Sequence, residues 1–197
     1  MGKRMMDVLL AGAGLLLFLP VMLLIAAAIK LDSPGPVFFR QERVGRHGVN
    51  FRIHKFRTMV DKPADTRLLT VGADPRVTRV GRWLRSHRFD EIVQLIDVLK
   101  GDMSLVGPRP EVPKYVALYP SEVRDKVLSV RPGITDPAAL AYRDEGRLLA
   151  QAADPEKEYV EVVMPAKLAH ALAYVERASL AGDICLLLRT LKVFVTG

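Results

Sequence analysis

Residues 88–110 read RFDEIVQLIDVLKGDMSLVGPRP, and this stretch decides how the middle of the chain folds. Its apolar residues follow the i, i+3, i+4, i+7 spacing of an amphipathic helix, namely Ile92, Leu95, Ile96 and Leu99. Gly101 is a typical residue at which such a helix ends. Asp90 and Glu91 therefore fall in or just before the first helical turn.

The adjacent carboxylates Asp90 and Glu91 are the first candidate for chemistry. The unpaired N–H groups and the positive end of the helix dipole favour an ionised carboxylate, by roughly 0.3 to 1 kcal/mol at an exposed position. Acidic residues are also common in first turns that have no function. The pair alone therefore does not establish a site.

Basic residues surround this pair in the sequence. Arg82, Arg85 and Arg88 precede it, and Arg109 follows between Pro108 and Pro110. The prolines restrict the backbone around Arg109, so its guanidinium is presented from a stiff loop. A planar guanidinium suits bidentate contact with phosphate. Phosphate chemistry is the functional interpretation, and an ordinary surface loop is the alternative.

Composition limits the classes of partner. Half of the 197 residues are hydrophobic, yet the formal net charge is +7. This combination indicates anionic partners such as phosphorylated metabolites or an anionic membrane surface. We expect no nucleic-acid partner, because the sequence has no recognisable nucleic-acid-binding motif. The single Cys185 excludes an internal disulfide, and a metal should be a hard, oxygen-bound cation such as Mg²⁺.

An uncharged apolar segment of 22 residues, Val8 to Ile29, is long enough to cross a bilayer. Basic residues flank it on both sides, so the positive-inside rule selects no orientation for a spanning helix. Pro20 lies in the middle and removes one backbone hydrogen bond. We expect a re-entrant helix that breaks at Pro20 and leaves the membrane on the side where it entered. A kinked transmembrane helix and a cleaved signal peptide are the alternatives.

The rest of the chain is predicted to form one compact domain. Residues 33–36 form a turn cluster, and residues 37–44 and 49–59 predict a β-hairpin that carries Lys55 and Arg57. Residues 61–75 resemble a polar loop. A helical pattern covers residues 77–99 with a break near Ser86 or His87, and the segment from Ile184 to Val195 predicts an interfacial helix or a core helix.

Together these motifs resemble a known family, the bacterial sugar transferases, also described as monotopic polyprenyl-phosphate phosphoglycosyl transferases. The resemblance runs through most of the chain. Its residues are Lys3-Arg4, Asp7, Pro20, Ser33-Pro34-Gly35-Pro36-Val37-Phe38, Gln41, Arg43, Lys55-Phe56-Arg57-Thr58-Met59, Asp90-Glu91, the run from Asp97 to Glu111, and Arg131-Pro132-Gly133-Ile134-Thr135.

The resemblance implies a fold class and a location. The fold would be α+β and mainly helical, with a re-entrant membrane anchor over residues 1–32 and a catalytic domain over residues 33–197. That domain would contain the small hairpin and amphipathic interfacial helices. The protein would be monotopic, held in membrane lipid at the cytoplasmic face of the bacterial inner membrane.

It also implies an activity and roles for individual residues. The reaction would transfer a phosphosugar from a UDP-sugar to undecaprenyl (polyprenyl) phosphate. Asp90 would be the nucleophile and Glu91 would help to hold Mg²⁺. The resemblance and the positions in the sequence nominate substrate-binding cations, which are Arg109, Arg85, Lys55, Arg57 and Arg131.

The chain departs from the family pattern at two places. Leu19 stands before Pro20 where many members have a small polar residue, and Asp136-Pro137 replaces a common Gly-Trp. The second change is interpreted as a mark of different sugar recognition. A rival hypothesis is a noncatalytic, membrane-docked module that binds anionic lipid, although it gives no role to Asp90 and Glu91.

Overall fold

One long helix, α1 (Gly2–Asp32), forms the N-terminal segment of the computed structural model, which describes residues 2–60, 69–142 and 145–196 and side chains up to residue 193. The helix is long and apolar enough to cross a membrane. Its 31 residues correspond to about 46 Å at 1.5 Å per residue. The helix continues on both sides of Pro20. Separate helical arms are therefore not observed, and the re-entrant break stays a prediction.

One face of α1 packs against the rest of the chain. Ala11 contributes to the core cluster that contains Val98 and Met103. Further along, α1 packs into a second cluster with Phe56 and Leu84, through Met22, Ile25 and Ile29. The remaining faces expose large apolar side chains, namely Met5, Val8, Leu9, Leu10, Leu16, Leu17, Leu19, Val21, Leu23, Leu24 and Leu31.

The predicted hairpin is confirmed and its register is defined. Strands β1 (Phe38–Val44) and β2 (Asn50–Phe56) pair antiparallel, with Phe38 opposite Phe56 and Val44 opposite Asn50. A short 3₁₀ turn over Arg46–Gly48 joins them. Ile53 and Phe56 are buried in two different core clusters, so both faces of β2 are covered.

The central helical region is broken where the sequence predicted a break. Helix α2 (Arg79–Ser86) ends there, with Thr78 accepting a hydrogen bond from the Gly81 amide at its start. A 3₁₀ turn over Phe89–Gln94 follows, and it leads directly into α3 (Leu95–Lys100). Gly101 ends α3 with φ +94°, as its position predicted. The first turn containing Asp90 and Glu91 is therefore 3₁₀ and not α-helical.

A second, parallel pair of strands was not predicted. Strands β3 (Ser104–Val106) and β4 (Gly133–Thr135) pair through Ser104 opposite Gly133. A Cβ added to Gly133 would lie 2.1 Å from the backbone nitrogen of Gly107. Glycine therefore permits this close backbone approach, which joins the loop after β3 to the chain after residue 130.

The C-terminal half is helical. Helices α8 (Pro155–Glu158) and α9 (Met164–Arg177) form one continuous rod through a π-helical turn over Tyr159–Val163. Such a turn is rare and frequent at functional sites. The predicted loop over residues 61–75 lies largely outside the described residues. The mainly helical class with a small hairpin is confirmed, whereas membrane orientation and the two-domain division stay predictions. The helices of this half are α4 (Pro113–Val116), α5 (Ser121–Val127), α6 (Pro137–Ala141), α7 (Glu145–Ala150), α8 (Pro155–Glu158), α9 (Met164–Arg177) and α10 (Leu180–Thr196).

Candidate active site

An open cavity of about 700 Å³ lies between the hairpin, the 3₁₀ turn over Phe89–Gln94, the loop after β3, and helices α6 and α7. Among the described residues, eight basic and four acidic side chains line it. An excess of cations in a concave surface attracts anionic ligands. The acidic lining residues are Asp90, Glu91, Glu111 and Glu145.

Glu91 is the centre of a buried ion cluster in this cavity. Its Oε1 accepts a hydrogen bond from Lys55 Nζ at 2.8 Å, and the Arg109 guanidinium binds both of its oxygens. Glu91 is only 8% exposed. Burial raises the pKa of Glu91, but the charges and hydrogen bonds of Arg109 and Lys55 outweigh it and hold the pKa well below its usual range. Glu91 in turn raises the pKa of Arg109.

Asp90 differs from its neighbour. It lines the cavity, and within the described part of the chain no group donates a hydrogen bond to its carboxylate. Burial and the negative charge of Glu91 raise its pKa, although Lys55, Arg85 and Arg109 oppose that effect. Burial and Glu91 therefore oppose the stabilisation of ionised Asp90 that a position at a helix N-terminus predicts. Within the described residues, Asp90 is thus a cavity-lining carboxylate whose lone pairs accept no protein hydrogen bond.

Backbone geometry sets the position of this pair. Arg88, the residue before the 3₁₀ turn, adopts the left-handed region at φ +57° and ψ +17°. Such a conformation is uncommon for residues with a side chain and often occurs at functional sites. The 3₁₀ turn that follows it packs against β2, where Glu91 binds Lys55. Burial lowers the pKa of Lys55, whereas Glu91 opposes the decrease.

The loop that carries Arg109 is fixed by Asp136, one of the residues at which the chain departs from the family pattern. One carboxylate oxygen of Asp136 accepts a hydrogen bond from the Arg109 amide at 3.0 Å, and the other caps α6 through the Ala139 amide at 2.5 Å. Asp136 is 3% exposed. Pro137 occupies the first position of α6, where its missing N–H costs nothing. The Asp-Pro pair thus connects the arginine loop to α6, whose Ala138 and Ala139 line the cavity.

Arg57 lines the cavity, but its two terminal nitrogens donate to protein groups. Its guanidinium bonds the carbonyl of Pro34 and both the carbonyl and hydroxyl of Ser33, at 2.7 and 3.0 Å for Ser33. Gly35 has φ +121°, and a Cβ there would lie 1.9 Å from Arg57 Nη1. Arg57 therefore fixes the corner between α1 and β1, so the structure favours a positioning role over the predicted contact with substrate.

The other two predicted cations lie in different places. Arg85, in the last turn of α2, lines the cavity close enough to lower the pKa of Asp90. Arg131 does not line it, and its Nε donates to the Gly101 carbonyl at 2.7 Å. The sequence predicted that Arg131 binds substrate, whereas its side chain lies outside the cavity. The residue connects the chain before β4 to the end of α3.

A second polar group on the cavity wall was missed by sequence reasoning. Glu111 accepts from Arg43 Nη1 at 3.0 Å and from the Tyr159 hydroxyl. Nearby, Lys167 donates to Glu145 at 2.8 Å and lies over the Tyr159 ring at 5.2 Å. The sequence does contain a signal for Glu111, because this residue directly follows Pro108-Arg109-Pro110 and so lies next to the candidate site. Tyr159 gives none, because its direction depends on the π-helical turn.

The carboxylates fit a magnesium ion only together with substrate. Within residues 2–60, 69–142 and 145–196, no group of three His, Cys, Asp or Glu residues is arranged to hold a metal. Mg²⁺ is commonly bound by one or two carboxylates plus substrate phosphates. In the part of the chain that the structure describes, Asp90 has no protein donor and Oε2 of Glu91 accepts a bond only from Arg109. These oxygens retain lone pairs for an ion that enters with a diphosphate.

Comparison with known proteins identifies the family of this chain. A family model described as bacterial sugar transferase matches residues 1–197. An N-acetylgalactosaminephosphotransferase of Aeromonas hydrophila, named for UDP-N-acetylgalactosamine and undecaprenyl phosphate, is 39% identical over 99% of this chain and 44% of its own length. A UDP-glucose:undecaprenyl-phosphate glucose-1-phosphate transferase of Caulobacter vibrioides is 41% identical over 98% of this chain and 70% of its own. An Escherichia coli protein of the same name is 45% identical over 68% of this chain and 29% of its own.

The chain belongs to the bacterial sugar transferase family. It spans less than half the length of the Aeromonas and Escherichia coli relatives, and about two thirds of the Caulobacter relative. The names of these relatives contain different sugars, so similarity alone does not identify the sugar for this chain.

Proposed function

We propose that this protein transfers a sugar phosphate from a UDP-sugar to undecaprenyl (polyprenyl) phosphate, through a covalent intermediate on Asp90. The products are UMP and a polyprenyl-diphosphate sugar. The names of the relatives support the substrate classes. The observation that carries the mechanism is the contrast between Asp90, whose carboxylate has no donor in the described structure, and Glu91, which two cations hold.

The first step uses Asp90 as the nucleophile. A carboxylate oxygen attacks the β-phosphorus, which carries the sugar, and the bond from this phosphorus to the bridging oxygen breaks. UMP leaves with that oxygen and its electron pair, so no proton transfer is required. Because Glu91 stays ionised at neutral pH, it keeps Lys55 and Arg109 in place beside the diphosphate. These cations reduce the repulsion between two anions.

The second step regenerates the enzyme. An oxygen of polyprenyl phosphate attacks the phosphorus of the aspartyl phosphosugar, and the Asp90 oxygen leaves. A bound Mg²⁺ would neutralise negative charge on the diphosphate. Glu91 orients the Arg109 guanidinium, and the Arg109 side chain lines the cavity and is 28% exposed, so it can contact phosphate in either step.

The proposed location is a monotopic attachment at the cytoplasmic face of the bacterial inner membrane, and the exposed apolar faces of α1 and α10 support contact with a membrane. The surface of α10 exposes Leu180, Ile184, Leu188 and Leu191 at helical spacing. This attachment would place the cavity at the depth of lipid headgroups, where polyprenyl phosphate is found. A purely lipid-binding module would use the same surfaces, but it would not require the ion cluster around Glu91.

The test is intact-mass analysis of detergent-solubilised protein after incubation with Mg²⁺ and a panel of UDP-sugars without acceptor. Wild type should gain the mass of one phosphosugar and release one equivalent of UMP, and Asp90→Asn should do neither while staying in membranes. Asp102→Asn is the matched control, because Asp102 is exposed and outside the cavity. An adduct on Asp90→Asn, or steady turnover without an adduct on wild type, would contradict the covalent role.

A further inference from the structure

Two adjacent aromatic side chains are exposed where β1 begins. Phe38 is 43% exposed and Phe39 is 47% exposed, and both line the cavity. Burial of a phenylalanine is normally favourable, so an exposed pair at the edge of a charged cavity indicates a surface that a ligand covers. Phe38 stacks on Phe56 with 5.5 Å between ring centroids, which holds its ring in place.

The hairpin register places Phe39 beside the ion cluster. Phe39 lies directly opposite Lys55 in the antiparallel pair. Side chains at directly opposite positions share one face, with Cβ atoms about 5 Å apart. Lys55 in turn donates to Glu91 at 2.8 Å. An apolar contact and a cationic contact are thus adjacent in one strand pair.

The corner between α1 and β1 fixes the position of the aromatic pair relative to α1. Five residues separate the end of α1 from the start of β1. Arg57 binds Ser33 and Pro34 in this corner, and Lys30 Nζ donates to the Gly35 carbonyl at 2.9 Å. Helix α1 is the apolar segment suited to lipid. Because only a short link joins α1 to β1, the cavity edge at Phe38 and Phe39 is the edge tied most directly to that segment.

We propose that Phe38 and Phe39 form the entry site for polyprenyl phosphate, with the first isoprene units on the two rings and the phosphate directed to the Asp90–Glu91 pair. This inference rests on the proposed transferase function. A ligand that uses both surfaces must be apolar and anionic at once, and the cavity lining has twice as many basic as acidic side chains within the described residues. A UDP-sugar is anionic but has no long apolar part.

The test separates the two half-reactions. With Phe39→Ser we expect the KM for undecaprenyl phosphate to rise about tenfold. Adduct formation and UMP release without acceptor should match wild type. Phe39→Leu should restore most of the acceptor affinity, because it keeps an apolar side chain. Leu118→Ser, just after α4, is the control, since Leu118 is 51% exposed, outside the cavity and outside both apolar helices. Its KM for the acceptor should not change.

The outcomes distinguish this inference from the proposed function. Normal adduct formation with an unchanged acceptor KM in Phe39→Ser would overturn the entry site and leave the transferase function intact. Slower adduct formation in Phe39→Ser, at an unchanged melting temperature, would assign the aromatic pair to the donor and also overturn it. Absence of an adduct on wild type with every UDP-sugar would remove the basis of both proposals. Equal defects in Phe39→Ser and Phe39→Leu would contradict an apolar contact.

Discussion

Replacement of Glu91 by Gln tests the ion cluster at the centre of the cavity. The substitution keeps the shape of the side chain but removes the negative charge that Lys55 and Arg109 share. The Glu91 side chain is 10% exposed, that of Lys55 is 17% exposed and that of Arg109 is 28% exposed. In the variant, the two cations would therefore face each other in a poorly solvated space. Breaking a buried ion pair costs about 3 to 5 kcal/mol, and the partial exposure of Arg109 places our expectation near 3 kcal/mol.

The assay is urea unfolding of the detergent-solubilised protein, followed by the fluorescence of Trp83, the single tryptophan. A double-mutant cycle with Lys55→Met isolates the pair. The double variant should be more stable than the sum of the single effects predicts, by about 1 to 2 kcal/mol, because Lys55→Met removes one of the uncompensated cations. Effects that add within about 0.5 kcal/mol would refute the reasoning.

A matched control is available in Glu156, which pairs with Lys114 on the surface. Both of these side chains are 54% exposed, so Glu156→Gln should change the free energy of unfolding by less than about 1 kcal/mol. The pH dependence gives an independent check. The pKa of Glu91 is lower in the folded state than its ordinary value of 4.5. Ionised Glu91 therefore stabilises the fold fully above pH 4.5, and this stabilisation is lost as pH falls through the folded-state pKa.

Three further predictions concern the residues around this cluster. The raised pKa of Asp90 predicts that kcat/KM for the donor falls on the acid side at a pH above the ordinary aspartate value of 3.8, and Glu91→Gln should move this limb to lower pH; a limb that does not move in a pH–rate profile would contradict the influence of Glu91. Arg57→Lys should lower the free energy of unfolding by about 2 kcal/mol in urea titrations, because lysine cannot reproduce the forked bonds to the corner carbonyls, and an unchanged midpoint would count against that role. Asp97→Ala should cost about 2 to 3 kcal/mol by the same measurement, since it removes the acceptor of the His54 amide at 2.9 Å in a position that is 0% exposed, whereas a cost below 1 kcal/mol would be inconsistent with this bond.

Local signals explain which parts of the fold could be predicted. The stop at Gly101, the break near Ser86 and the hairpin all depend on residues within a few positions of the feature, and each was confirmed. The parallel pair of β3 and β4 is different, because each strand has three residues and gains its partner from about 30 residues away. Such short strands carry no periodicity that a sequence pattern could detect.

The same distinction applies to the candidate site. Asp90, Glu91 and Arg109 were grouped by sequence distance and residue type, and the structure brings Arg109 onto Glu91. Arg57 was interpreted by charge alone, whereas its partners are the carbonyls of a turn more than 20 residues earlier. A backbone carbonyl leaves no signal in a sequence. Whether a cation faces substrate or a carbonyl therefore depends on tertiary structure, as Arg131 also shows.

The contacts at the two ends of α1 bear on how the two proposed substrates would reach the cavity. Near its start, Lys3 pairs with Asp183 of α10 at 2.5 Å, and Asp7 accepts from the Ser104 hydroxyl at 2.9 Å. At its end, Asp32 accepts from the Val80 amide at 2.9 Å. A crossing of the bilayer by α1 would place these ends on opposite sides, and the domain bonded to both would have to cross as well. Its ion cluster and open, charged cavity are costly in hydrocarbon. The contacts therefore support attachment at one membrane face, where a water-soluble UDP-sugar and a lipid-bound phosphate can enter one cavity from different sides.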